Sequence, residues 1–518
     1  MSKSEKSILI ILGIIVFFCV FSISFYAIRT SNDEFWHLKT GQYIVEHGYH
    51  LPQKDIFTYT AADMDWVNHE WLSQVIFYHV YALSGFKGFV LLKSLIIMGA
   101  FLGVLLVCYQ RTKDWYLSLF AVLIGALASR HTLYPRPYIF SYLLVPIYLY
   151  FLYQIRETGI KKWHYVIFPL LMVFWANLHG GAILGLILIG FFLGEEIIQY
   201  GWKRWLHKDK AIKVETVKAL LVIFGLTLLA SFVNPYGWKI FELTSKVMTD
   251  KRLVQSIGEL QPPDFRFTTY YLSMLVITAL AILPTLKKLR IADAFLLLFF
   301  GQQSLSHVRH LPLFGLTAAS IMAIHLKTTW NQWISPLPFK KDFSAGKMGK
   351  VLLTMGIFWL SYSILFSNHQ LLLNREMLAG PGFRVNDYPV KAANFILQHD
   401  FKGNLFNEIN SAGYLMFKLN PTHKVFTDNR FDLFGSQFLP DFYEISEAGT
   451  QWQTTLDKYQ VNFILINYHE SAKLFDALSL SPKWVRVYQD ENYVIYLRNL
   501  PVNQPLINSL QHLPLFPY

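Results

Sequence analysis

The chain has 518 residues, of which 53% are hydrophobic, 17% aromatic and 15% charged, with a net charge of +12 and a mean hydropathy of +0.32. A soluble chain carries about a quarter charged residues, so this composition excludes an ordinary soluble globule. The basic residues are dispersed among short loops, a pattern of membrane topology that gives no nucleic-acid-binding patch.

The first apolar run, Ile8 to Ala27, has about 20 residues, enough to cross the hydrocarbon core. No small-residue cleavage site follows it, so it reads as a retained anchor. Runs of helical length give about eleven spans, near 8–28, 88–108, 115–130, 137–154, 164–178, 181–199, 216–234, 268–285, 291–306, 310–326 and 349–367. With the N-terminus cytoplasmic, the inner loops take Arg111 and Lys113; Arg156, Lys161 and Lys162; and Lys203, Arg204, Lys208 and Lys210. Further along they take Lys287, Lys288 and Arg290, then Lys340, Lys341, Lys347 and Lys350. This is the positive-inside pattern of an inner (plasma) membrane protein. The two cysteines, Cys19 and Cys108, lie inside spans and supply neither a disulfide framework nor a metal cluster.

The outer side receives a long first loop (29–87), a loop at 235–267 and everything after about residue 368. Two amphipathic interfacial helices are expected in the first loop, Phe35 to Glu46 and Glu70 to Leu83. After the last span, strands are expected at 404–406, 424–427 and 461–466, and helices at 387–399 and 451–459. That alternation predicts an external α/β domain. The tail from Pro501 is expected to pack loosely. The fold class is thus a polytopic α-helical membrane domain, 1–367, followed by an external soluble α/β domain, 368–518.

Chemistry-bearing residues gather where spans meet the outer face. Asp33-Glu34-Phe35-Trp36-His37-Leu38-Lys39 follows the first span. A carboxylate there is expected to be partly desolvated, which strengthens it as a base toward an acceptor hydroxyl or amide. Alternatively, both acids mark the interface. Glu259 stands in Ser256-Ile257-Gly258-Glu259-Leu260-Gln261-Pro262, either as a site carboxylate or as an ordinary loop residue. Arg309 and His310 open a span after His307. The guanidinium suits either a phosphate or lipid headgroups. His69 and Glu70 open the second interfacial helix as acceptor ligands or as a helix-terminal charge pair. Arg130, His131 and Arg136 form a basic turn, and Asn177 to Gly181 a tight one that either serves the site or satisfies backbone groups. Asp428-Asn429-Arg430-Phe431-Asp432 is either a loop for a sugar or peptide surface or a solvated turn. No P-loop, dinucleotide fingerprint, HExxH site or serine elbow is present, so nucleotide-driven transport has no support.

These positions resemble the GT-C superfamily of polytopic glycosyltransferases, above all the catalytic subunit of oligosaccharyltransferase, and also protein O-mannosyltransferase-like proteins. DEFWHLKTGQYIVEHG, Asp33 to Gly48, resembles the first-loop motif that carries the catalytic Asp, with Lys39 at its basic position. SIGELQP resembles the eukaryotic SVSEHQP motif and puts Glu259 on its acidic residue. Arg309 falls where the family has an arginine that contacts the lipid-linked phosphate. Two departures stand out. Where the sequon-reading WWD signature belongs, Ile409-Asn410-Ser411-Ala412-Gly413-Tyr414 keeps only Gly-Tyr, which argues against Asn-linked protein glycosylation. The second external turn, where the family places metal-binding acids, reads Arg130 to Arg136 without a carboxylate. The resemblance leaves room for a divalent cation (Mg or Mn) on Asp33 and Glu259, although cationic side chains can also stabilise a departing phosphate.

The expectation is a membrane glycosyltransferase moving a sugar from a polyprenyl-phosphate-linked donor to an envelope lipid, glycan or protein at the external face. Asp33, Glu34 and Glu259 are the catalytic candidates. Lys39, Arg130, His131, Arg136, Arg309 and His310 are the donor-phosphate ligands, and His69, Glu70, Asp428 and Arg430 the acceptor ligands. The rivals are a non-catalytic scaffold of an envelope assembly complex and a lipid or polysaccharide transporter. A transporter would place ionisable residues in mid-span.

Overall fold

Each of the eleven hydrophobic runs falls on a helix. The computed structural model describes residues 3–26, 28, 33–205, 214–335, 345–372, 382–435 and 438–510. The loop lysines Lys208, Lys210, Lys340 and Lys341 lie outside them. Helices α1 (Lys3–Ser24), α2 (Asp33–Glu46), α3 (Trp71–Thr112), α4 (Trp115–Ser129), α5 (Tyr138–Thr158), α6 (His164–Leu178) and α7 (Ile183–Trp205) come first. They are followed by α8 (Val214–Ser231), α9 (Lys239–Thr249), α10 (Lys251–Ser256), α11 (Thr269–Ile282), α12 (Ile291–Ser306), α13 (Leu311–Thr329) and α14 (Ala345–Leu372). Among the described residues, eight helices are long and apolar enough to cross a membrane. Three of the expected spans, α4, α6 and α12, have only 15, 15 and 16 residues, and α11, with 14, reaches spanning length only with the 3-10 turn that carries it to Lys288.

The chain divides into two compact units. The helical unit comprises Met1–Tyr26, Lys87–Phe241 and Ile257–Ala379. The α/β unit comprises Ala27–Phe86, Glu242–Ser256 and Gly380–Tyr518, so it takes in the first loop as well as the C-terminal region. Helix α3 runs on from the expected second interfacial helix and breaks at Gly85, whose φ of +64° glycine adopts without steric cost.

In the helical unit α13 is the central element, buried continuously from Leu311 to Ala323. It crosses α4 where two glycines meet. A Cβ on Gly125 would stand 2.9 Å from the Gly315 carbonyl oxygen, so only a hydrogen there allows the approach. Several ionisable groups of the helical unit are paired. Arg111 donates to Asp293 at 2.5 Å, to the Tyr153 hydroxyl at 3.0 Å and to Ser320 Oγ at 3.1 Å, and Arg156 pairs with Glu195. Lys93 is buried, with its ammonium 3.7 Å from the Tyr26 ring centroid. Each of these charges has a partner, which is what low-dielectric surroundings demand.

The α/β unit adds α15 (Val390–Gln398), β1 (Asn404–Asn407), α16 (Ile409–Leu419), α17 (Leu439–Ser446), α18 (Trp452–Lys458), β2 (Val461–Asn467) and α19 (Ala472–Leu480). It ends with β3 (Trp484–Gln489), β4 (Tyr493–Arg498) and α20 (Gln504–Leu510). The sheet order is β1-β2-β4-β3, with β1 parallel to β2 and the other pairs antiparallel. Phe406, Leu456, Val461, Ile464, Ile466, Leu474 and Val494 form its core.

Two expectations fail here. Residues 424–427 are not a strand: only Val425 makes a bridge, to Thr58 of the first loop. Side chains take the place of a ladder, since Asn407 Oδ1 accepts the Phe426 N–H at 2.7 Å and Thr60 Oγ1 donates to the Phe426 carbonyl at 2.5 Å. The segment after Pro501 is not loose as far as residue 510, because Ile507 and Leu510 of α20 are buried.

Candidate functional site

The site candidates fall into two groups, one in each unit. In the α/β unit, Asp33 and Glu34 open α2, where the positive end of the helix dipole favours carboxylates. Asp33 is half-buried, and its Oδ1 accepts the Trp36 indole N–H at 3.4 Å and the Asn429 amide at 3.1 Å. Glu34 is fully buried. Phe35 anchors the helix, ringed by Phe86, Phe383, Tyr388 and Tyr414 at centroid distances of 4.7 to 5.5 Å. Lys39 donates to Gln42 at 3.2 Å. Burial holds its ammonium below the usual lysine value, against the opposing pull of Glu46.

His37, one turn beyond Asp33, joins a polar chain. Asn68 donates to Gln74 Oε1 at 2.7 Å, and Gln74 Nε2 faces His37 Nδ1 at 3.3 Å. With Nδ1 accepting, the ring proton sits on Nε2, 3.7 Å from Glu70. His69 approaches the other Glu70 oxygen at 3.8 Å. The expected acceptor ligands His69 and Glu70 are therefore joined to the helix that carries Asp33.

Asp428 and Arg430 are buried. Asp428 accepts from the Arg430 backbone N–H at 2.8 Å, from Nε at 2.9 Å and from Nη2 at 2.6 Å. Arg430 Nη2 also pairs with Asp55 at 2.7 Å, and the guanidinium lies over the Trp66 ring at 4.5 Å. Between them, Asn429 is the member of this loop that reaches Asp33. Asp55 was not legible as a partner, because nothing local links residue 55 to residue 430.

In the helical unit, Glu259 and Arg136 form an ion pair, with Arg136 Nη1 at 2.9 and 3.0 Å from the two carboxylate oxygens. The loop holding Glu259 is tied to the turn holding Arg309 by the Val308 N–H, which donates to the Gln261 carbonyl at 2.9 Å. Tyr142, on α5, donates to the Arg309 carbonyl at 3.4 Å and lies within electrostatic reach of Arg309, Glu259 and Arg136. The Arg309 guanidinium itself has no ion-pair or hydrogen-bond partner among the described residues. His307 Nδ1 and His310 Nδ1 are buried and without partners among the described residues, and so is the Tyr138 hydroxyl, whose ring lies 5.2 Å from that of Tyr142. Arg130 and His131 form a neighbouring set, with Arg130 over the Tyr270 ring at 5.0 Å. Burial, and then the Arg130 charge, hold His131 below the usual histidine value, against the raising effect of a hydrogen bond to the Phe267 backbone. His307, Tyr138 and Tyr142 were missed from sequence, since apolar spans hide single polar groups at their ends. Asn177 and His179 join neighbouring helices: Asn177 donates to the Val173 and Val233 carbonyls, and His179 Nδ1 meets Ser141 Oγ at 2.8 Å and accepts from the Gly181 N–H.

A divalent cation takes several oxygen ligands. Arg136 engages both Glu259 oxygens, and Asp33 Oδ1 is taken by Asn429 and Trp36. Among the described residues no three His, Cys, Asp or Glu side chains gather in a metal-binding group.

No protein-family model and no curated protein matches this chain. Solved structures do. The oligosaccharyltransferase AglB of Archaeoglobus fulgidus, in complex with an inhibitory peptide and a dolichol-phosphate, aligns at TM-score 0.62 and 11% identity, over 97% of this chain and 76% of that one. The same organism's enzyme tethered to an acceptor peptide with the NVT sequon gives 0.63 at 11%, over 96% and 74%. At such identity the likeness is one of fold. The chain thus shares the fold of these oligosaccharyltransferase structures.

Proposed function

We propose that this protein is a membrane glycosyltransferase that uses a polyprenyl-phosphate-linked sugar and an envelope acceptor at the external face of the plasma membrane. The observation that carries the reading is Arg309, which has no ion-pair or hydrogen-bond partner for its guanidinium among the described residues and stands beside His310, whose Nδ1 is buried and unpartnered. An unsatisfied buried polar group costs about 1–3 kcal/mol, so the buried His310 Nδ1 beside an arginine without an ion-pair partner favours a polar anionic ligand. A lipid phosphate has that chemistry, and the AglB structure of the same fold holds a dolichol-phosphate. Arg136 is neutralised by Glu259, so its role is to hold the 258–260 turn and, through it, the Arg309 turn.

In this reading Arg309 and His310 receive the donor phosphate, with Arg130 and His131 beside them. Asp33 takes the proton of the acceptor hydroxyl or amide as that group attacks the anomeric carbon. The bond between that carbon and the phosphate oxygen breaks, and the polyprenyl phosphate leaves with the electron pair. The developing negative charge meets fixed positive charge on the protein.

The test pairs a deletion strain with an Asp33→Asn variant. Mass analysis of envelope glycans should show a species missing in the deletion, restored by the wild-type chain but not by Asp33→Asn at normal membrane levels. Loss of a general base lowers turnover by roughly 10²–10⁴-fold. Full complementation by Asp33→Asn would favour the scaffold reading instead.

A further inference from the structure

Asn429 lies in the α/β unit, in the Asp428–Asp432 loop, of which the sequence reading takes only Asp428 and Arg430 as acceptor ligands. Its side chain has two ends. The Nδ2 end donates to Asp33 Oδ1 at 3.1 Å, and a carboxylate can only accept, which fixes the amide's orientation. The Oδ1 end is buried and has no hydrogen-bond partner among the described residues.

The flanking residues hold it still. Asp428 and Arg430 are both buried, clamped by three hydrogen bonds to each other and by the Asp55 ion pair, with Trp66 and Phe57 beneath the guanidinium at 4.5 and 5.3 Å. A partly buried asparagine between two fixed residues loses little entropy when it makes a directed hydrogen bond. An orphaned carbonyl oxygen next to a candidate base is a place for a donor from outside the chain.

We propose that Asn429 is a positioning residue that joins Asp33 to the acceptor. Its Nδ2 orients the carboxylate, and its Oδ1 receives a hydrogen bond from an N–H or O–H of the acceptor, so that the reacting hydroxyl or amide faces Asp33. The acceptor class that fits is one with a second hydrogen-bond donor near the attacking group, as in a vicinal diol or a primary amide. This inference rests on Asp33 being the base.

The test uses the full-length protein in detergent or nanodiscs. The donors are a panel of polyprenyl-phosphate-linked hexoses, with envelope from a strain lacking the protein as acceptor and polyprenyl phosphate release as the readout. Asn429→Ala should lower turnover and raise the acceptor KM, together by roughly 10–100-fold, the size of a lost hydrogen bond to a charged group. Binding of polyprenyl phosphate alone should not change. Asn429→Asp, which keeps the shape but sets a carboxylate against Asp33, should be worse than alanine. A residue needed only for packing would give the reverse order, with the isosteric aspartate the milder change. That order, or wild-type kinetics in both variants while Asp33→Asn is inactive, would overturn the proposal and leave the base in place. Wild-type kinetics in Asp33→Asn would remove the base reading itself.

Discussion

Gly41 and Gln74 meet so closely that a Cβ on Gly41 would stand 2.1 Å from the Gln74 carbonyl oxygen. That contact sets α2 against the first turns of α3 and brings His37 to Gln74. Gly41→Ala should therefore force the two helices apart, costing about 1–3 kcal/mol as overpacking does. The melting temperature should fall and, under the proposed function, activity with it. An unchanged melting temperature would show that the helices can separate freely.

Arg430 carries one positive charge between two buried carboxylates, Asp55 and Asp428. Arg430→Met keeps much of the volume but strands both acids. Breaking a buried pair from one side costs about 3–5 kcal/mol. The variant should expose the α/β unit to limited proteolysis under conditions that leave the wild type intact. Wild-type resistance would mean that the acids are neutral or solvated without the arginine.

Glu408, at the end of β1, is buried and accepts from Ser471 Oγ and from the Asn467 N–H at 2.9 Å. Burial pushes its carboxyl up to about 7, against the lowering effect of those two donors. A carboxyl whose folded value lies above its unfolded one adds stability below the unfolded value, near 4.5, and that stability is lost as pH rises to about 7. The α/β unit should thus be more stable at pH 5 than at pH 8 by on the order of 3 kcal/mol from this group. Glu408→Gln should flatten the dependence. A pH profile of unfolding that is the same in both proteins would refute it.

The helical unit was the legible part of the fold, because a span announces itself by a continuous apolar run and needs no distant partner. In the α/β unit β1 and β2 were read in place, whereas β3 and β4, the antiparallel pair at Trp484–Gln489 and Tyr493–Arg498, were missed. Val425 misled because its neighbours are satisfied by the side chains of Asn407 and Thr60, one of them from the distant first loop. The candidate residues were readable by position, whereas their pairing was not. Glu259 and Arg136 each looked like a free ligand, and only the fold shows that they neutralise each other.

That neutralisation isolates Arg309 as the cation to test. If its guanidinium grips a lipid-linked phosphate, Arg309→Lys should already weaken donor binding, since lysine keeps the charge but loses the planar fork. Arg309→Ala should be worse, with the acceptor KM little changed. Arg136→Ala should behave differently: it strands Glu259 and loosens the 258–260 turn, so its main effect should be on stability. Binding of a polyprenyl-phosphate hexose to the purified variants separates the cases. If Arg309 only anchors its helix at the headgroups, lysine serves as well and donor affinity stays at the wild-type level even in Arg309→Ala.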